Sequence, residues 1–147
     1  MKELIGKKVL KIEIDKEKQH YLKFTTDSGE FLYFAEGDCC SESWFYGMNG
    51  VESLIGQVVK TVEQADLGVV LNYIGRQEET EAYCIKITST GGHTDIEFRN
   101  SSNGYYGGSV VYLGGSNEII KNYEKSLEFR RTVKNILWKE VVSDYTC

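Results

Sequence analysis

Over residues 9–15 apolar and polar positions alternate. Leu10, Ile12 and Ile14 fall on one side, and Lys11, Glu13 and Asp15 on the other. That period of two predicts a strand with one buried face. Residues 20–26 and 30–35 read the same way, and Asp27-Ser28-Gly29 between them supplies a turn. Two registers suit this hairpin. Leu22 and Phe24 meet either Leu32 and Phe34, or Tyr33 and Ala35. Residues 82–90 and 93–100 flank Gly91-Gly92, a loop suited to a type I′ turn because both positions need positive φ. Counting back from it pairs Ile87 with Ile96, Ile85 with Phe98 and Lys86 with Glu97, so like meets like and opposite charges meet.

A short pattern recurs. Leu4-Ile5-Gly6 with Val9, Ile12 and Glu13 returns at a constant offset as Leu54-Ile55-Gly56 with Val59, Val62 and Glu63. Two copies are too few for a solenoid, and they predict two similar corners of one sheet. Residues 51–55 read as a helical turn, residues 57–64 and 105–113 as strands, and 65–80 as a loop or hairpin tip. From Ser116 the period changes. Ser116 can cap a helix with Glu118 in its first turn. Ile119, Ile120, Tyr123, Leu127, Val133, Ile136, Leu137 and Val141 then follow at roughly helical spacing. The phase slips at 129–131, which leaves one kinked helix or two. The expected fold class is α+β: a mainly antiparallel β-sheet of about six or seven strands with one or two C-terminal helices. The expected organisation is a single domain, 1–147, with a β-sheet part at 1–115 and a helical part at 116–142.

Composition narrows the function classes. The chain has 147 residues, 41% of them apolar and 27% charged, which suits one folded domain rather than a disordered chain. A net charge of −5 argues against gripping a nucleic-acid backbone. No apolar run approaches the roughly 20 residues of a membrane span, and the first residues turn polar too soon for a signal peptide. The expected location is the cytoplasm of the host cell. Cys39, Cys40, Cys84 and Cys147 form a poor disulfide framework and read as reduced thiols. There is no proline, and 15 glycines carry the turns.

Four groups of residues could carry chemistry. Cys39 and Cys40 are adjacent, whereas zinc ligands come in spaced pairs, so two structural thiols are the plainer reading. His93, Asp95, Glu97 and Arg99 share one side of a strand. A His-Asp pair can orient an acid-base imidazole, and a solvated strand face looks the same. The run from Arg99 to Gly108 is dense in hydrogen-bonding groups. Tyr105 and Tyr106 could stack on a base, with Asn100 and Asn103 reading its edge. Arg130 and Arg131, with Lys125 and Lys134, could meet phosphates, or form a solvated helix face. No serine-hydrolase, dinucleotide-binding or zinc-protease motif is present. The chain is therefore expected to be no enzyme and to need no cofactor and no metal.

Two segments resemble a small uncharacterised domain family of tailed phages and prophages. One is Asp38-Cys39-Cys40 followed by Leu54-Ile55-Gly56. The other is Arg99, then Ser102-Asn103-Gly104-Tyr105-Tyr106 and Ser109-Val110. The resemblance covers roughly residues 3 to 113. In outline, a sheet followed by C-terminal helices is also similar to phage anti-Thoeris sponge proteins. Those are non-enzymatic dimers or higher oligomers that sequester cyclic ADP-ribose-type signals. The resemblance implies a homodimer or higher homo-oligomer that binds such a cyclic nucleotide-derived small molecule without turnover, and neither nucleic acid nor membrane. Its ligand-binding residues would be Arg99, Asn100, Asn103, Tyr105, Tyr106, Arg130 and Arg131. The other implied role is protein-protein inhibition of a host enzyme.

Overall fold

The computed structural model describes residues 1–38, 40–70, 79–103, 107–114 and 134–146. The elements lying wholly within them are ten strands and two 3-10 turns, Lys2–Leu4 and Val51–Ser53. The strands are β1 (Val9–Asp15), β2 (Tyr21–Thr26), β3 (Gly29–Gly37), β4 (Glu42–Asn49), β5 (Val59–Val69), β6 (Glu79–Ser89), β7 (Gly92–Ser102), β8 (Gly108–Gly114), β9 (Trp138–Glu140) and β10 (Tyr145–Thr146). They form two five-stranded antiparallel sheets, ordered β8-β3-β2-β1-β9 and β10-β4-β7-β6-β5. Ile12, Leu22, Phe24, Tyr33 and Ala35 of the first sheet join Phe45, Ile85, Ile87, Ile96 and Phe98 of the second in one core. Alternation along each strand supplies these inward residues, and packing two such faces makes a sandwich.

The repeated Leu-Ile-Gly pattern forms two corners, one leading into each sheet. Gly6 and Gly56 both take left-handed φ, +84° and +80°, which glycine adopts without steric cost. The corners then hydrogen-bond each other reciprocally. Gly6 N donates to Val59 O at 2.8 Å, and Gly56 N donates to Val9 O at 2.6 Å. Val9 N donates to Gln57 O at 2.9 Å, and Val59 N to Lys7 O at 3.0 Å. Leu4 and Leu54 are fully buried beneath this clasp.

Several expectations need correction. Among the described residues the fold is antiparallel β in two sheets rather than the expected α+β fold with a single sheet and C-terminal helices. Residues 115–133 lie outside the described residues, but the end of the expected 116–142 helix is extended. β9 pairs Asp15 with Trp138 and Ile14 with Lys139. The outer edge of β1 has backbone groups to satisfy. Lys16 N donates to Leu137 O, and Val141 N to Ile12 O, both at 2.8 Å. Ile136 and Trp138 pack together on the outer cluster of Tyr21, Leu32 and Leu113, a period of two that the helical reading overlooked. The outline likeness to sponge proteins rested on those helices and loses that part of its basis.

The β6–β7 hairpin turns one residue earlier than expected. Ser89 pairs with Gly92, Ile85 with Ile96, and Lys86 with Asp95. The inward face is as predicted, but each partner moves by two. The turn is Thr90-Gly91, and positive φ falls on Gly92 alone of the two glycines. The cause is docking of the hairpin tip on the second corner. Ser89 Oγ donates to Ser53 O at 2.6 Å, and Thr90 Oγ1 to Gln57 Oε1 at 2.7 Å. A Cβ at Gly91 would lie 2.5 Å from Ser53 O. In the β2–β3 hairpin Leu22 pairs with Tyr33 but Phe24 with Phe31, so neither expected register holds in full, although Tyr33 and Ala35 do share the buried face. β5 also runs on to Val69, through part of the expected loop.

Gly50 gives the sharpest test of this packing. Its φ is +74°, and a Cβ there would run into the carbonyl oxygen of His93. Gly50→Ala is expected to cost about 2–4 kcal/mol of stability. Gly56→Ala, with similar φ but open space around it, should cost about 1 kcal/mol. Urea unfolding of the two variants checks the difference.

Candidate functional site

The C-terminal strands build a recess between the two sheets' edges. β9 extends the first sheet, residues 141–144 cross over, and β10 joins the second sheet beside β4. Asp144 Oδ1 accepts from Val51 N at 3.0 Å and holds the crossing. Between this strap and the end of β1 lies a groove of about 660 Å³, within the range of about 300–1,000 Å³ usual for small-molecule sites. Trp138 and Tyr145 line it together with Lys16 and Lys139. The carboxylate of Asp15 is occupied, accepting from the backbone N–H of Glu17 at 3.1 Å and of His20 at 3.4 Å. Lys23 Nζ sits 4.5 Å from the centroid of the Trp138 ring and 3.5 Å from Glu13. Lys16 and Lys139 make no ion pair among the described residues. The groove thus carries Trp138, Tyr145 and the ammonium groups of Lys16 and Lys139 on its lining, together with the carboxylate of Glu140.

A second recess, about 240 Å³, lies against Asp95, Glu97 and Arg99 of β7. Arg99 is buried. Its Nε donates to Glu97 Oε2 at 2.9 Å, and its guanidinium carbon lies 3.4 Å from the centroid of the Tyr46 ring. Cys84 also lines this recess, and Leu67 forms a wall. A bulge in β5 between Asp66 and Gly68 places Leu67 out of register, a device that re-aims a side chain. Burial, followed by the Asp95 and Glu97 carboxylates, raises the Cys84 thiol pKa above its ordinary value, so this is no activated nucleophile. Thr146 of β10 borders both recesses.

The polar run after Arg99 splits, because neighbours on a strand face opposite ways. Asn100 is buried and donates through Nδ2 to Ser41 Oγ at 3.0 Å and to Ser43 Oγ at 2.9 Å. Its Oδ1 has no hydrogen-bond partner among the described residues. Gly108 packs so closely that a Cβ there would strike Ser43 Oγ. Asn100 and Arg99 therefore do not converge on one ligand from the same face. Asn103 is exposed just beyond β7. Tyr105, Tyr106, Arg130 and Arg131 lie outside the described residues, as do Cys39 and Cys147. His93 and Asp95 are exposed on the same side as Glu97 and Arg99, and His93 Nδ1 contacts Thr88 Oγ1 at 3.2 Å. Cys40 is exposed. Among the described residues no group of three or more His, Cys, Asp or Glu could hold a metal ion, and no helix is long and apolar enough to cross a membrane. Lys16, Lys139 and Tyr145 escaped the sequence reading. Their meeting depends on the tail returning to two sheet edges.

Fold and grooves together define a β-sandwich domain with a recess at its tail-closed side. The chain belongs to the family described as "Domain of unknown function (DUF7448)", whose model matches residues 2–112. It is also similar to "Uncharacterized protein L278" of Acanthamoeba polyphaga mimivirus, with 36% identity over 77 residues. That match takes in 50% of this chain and 60% of the viral protein. No solved structure matches.

Tyr83 reports on the polar end of the interior. Burial and the Glu81 carboxylate, 2.6 Å from its hydroxyl, push its pKa up to about 12 from 10.0. A raised pKa in the fold means stability present below pH 10 and lost as pH climbs toward 12. Ultraviolet titration of the protein and of Tyr83→Phe should isolate this late-ionising phenol, and Glu81→Gln should move it down.

Proposed function

We propose that this chain is a viral binding protein that captures a nucleotide-derived immune signal of the cyclic ADP-ribose type and holds it without turnover. The observation that carries the reading is the groove framed by Trp138, Tyr145, Lys16 and Lys139. A nucleotide presents flat rings and phosphates. The rings stack on aromatic faces, and the phosphates meet ammonium groups. Lys23, paired with Glu13, lies over one face of Trp138. The mimivirus relative is in keeping with a viral setting, and so is action in the host cytoplasm. Stoichiometric capture asks for abundance and tight enclosure, and assembly as a dimer or higher oligomer serves the second. Arg99, Asn100, Asn103, Tyr105, Tyr106, Arg130 and Arg131 remain candidate ligand contacts, with Arg99 and Asn100 on opposite faces of β7 rather than in one cluster.

One observation favours a second reading. Leu137 and Val142 flank the groove and are 57% and 62% exposed. Exposed apolar residues beside a recess suit a protein partner, such as a host enzyme that the chain inhibits.

Isothermal titration against cyclic ADP-ribose isomers and cyclic di- and trinucleotides separates the two. Binding of at least one of them is expected, with intact ligand recovered after heat denaturation. The double variant Lys16→Glu/Lys139→Glu should weaken it by roughly tenfold or more, because two attractive charges become repulsive. Absence of heat with every ligand would sink the proposal, and a single stoichiometric host protein in a pull-down would then support the second reading.

A further inference from the structure

The strap that closes the groove is fastened by two short pairings, β9 on β1 and β10 on β4. Between them Val141 is 4% exposed in the main core, and Asp144 Oδ1 accepts from Val51 N at 3.0 Å. Charge adds nothing to this hold. Lys139 stands opposite Ile14, and Lys16 N donates to Leu137 O at 2.8 Å. That register makes the two lysines diagonal neighbours across the strand pair, and such neighbours lie about 7–8 Å apart. One belongs to the strap and the other to the body. Both line the groove, and neither has an ion pair among the described residues. One position along, Glu140 stands directly opposite Glu13. Lys11 and Lys23 are already paired with Glu13, at 3.7 and 3.5 Å. Glu140 has no ion pair among the described residues. Like charges across a strand pair are destabilising. At exposed positions they shift an equilibrium only a few-fold, enough to loosen the strap without releasing it.

We infer that the strap is an anion-dependent lock, fastened to the body by a phosphate-bearing group that bridges Lys16 and Lys139. A phosphate between the two ammonium groups turns their repulsion into two attractions. It meets both lysines only while the strap is docked, so binding and docking form one linked equilibrium. Three hydrogen bonds report on that equilibrium: Lys16 N to Leu137 O, Val141 N to Ile12 O, and Val51 N to Asp144 Oδ1. The inference rests on the groove being the capture site. It adds that the captured molecule's own phosphate regulates how tightly the groove is closed.

Amide hydrogen exchange on the full chain, read by NMR with and without inorganic pyrophosphate, tests the lock. At about ten times its Kd, pyrophosphate should slow exchange at positions 16, 51 and 141 roughly tenfold. Thr90 N, bonded to Val58 O at the β6–β7 tip, should not change. Lys16→Gln and Lys139→Gln should each slow exchange at the same three positions about two- to fivefold before any anion is added, because the repulsion is gone. Both should then respond less to pyrophosphate. Bound pyrophosphate with unchanged exchange overturns the lock and leaves the groove standing as an anion site. Equal slowing at Thr90 means global stabilisation and overturns it too, as does unchanged or faster exchange in the anion-free lysine variants. If pyrophosphate fails to bind while a cyclic nucleotide gives heat, the lock falls and capture stands. If neither binds, both fall.

Discussion

The reciprocal backbone clasp between the two Leu-Ile-Gly corners is the contact on which the other features rest. Each corner donates a glycine N–H to the first valine of the opposite strand, so β1 and β5 begin at fixed positions relative to one another. The inward faces of the two sheets then meet with their alternation in phase. The β6–β7 hairpin docks on the second corner, which sets the turn of that hairpin. Neither corner satisfies these backbone groups alone, and a buried unpaired N–H is costly. The two copies of the motif are therefore a matched pair rather than two independent caps.

Much of the strand pattern was legible in the sequence, and the reason is period two. Ile12, Ile14 and the flanks of Gly91-Gly92 place their apolar side chains inward as read, whereas the register slip between Val9 and Lys11 buries Val9 and leaves Leu10 48% exposed. Register was less legible. At the β6–β7 tip the Gly-Gly pair suggested one turn, whereas Gly91 is needed for close approach to Ser53 rather than for positive φ. The tail was misread because Ile136, Leu137 and Val141 fit a helical period. What decides its conformation is the open edge of β1, which no local pattern reveals.

The candidate site shows the same division. The face holding His93, Asp95, Glu97 and Arg99 follows from alternation and was readable. The groove was not. Lys16 and Lys139 are separated by more than a hundred positions and meet only because the tail pairs with β1 on one sheet and with β4 on the other. Sequence proximity misled in the opposite direction for Arg99 and Asn100, adjacent in the chain and placed on opposite faces of β7. A run rich in binding-type residues is one surface only if the backbone is not a strand.

The interruptions in β5 bear on a different property. This 11-residue strand forms one border of its sheet, and the chain has no proline with which to disrupt it. Long, flat, unprotected borders recruit copies of themselves and seed fibrils. Here the register slips once between Val59 and Thr61 and again between Asp66 and Gly68. Lys60, Glu63 and Asp66 place charge along the same stretch. The two slips break up the flat row of backbone groups that a second copy of the strand would need for pairing.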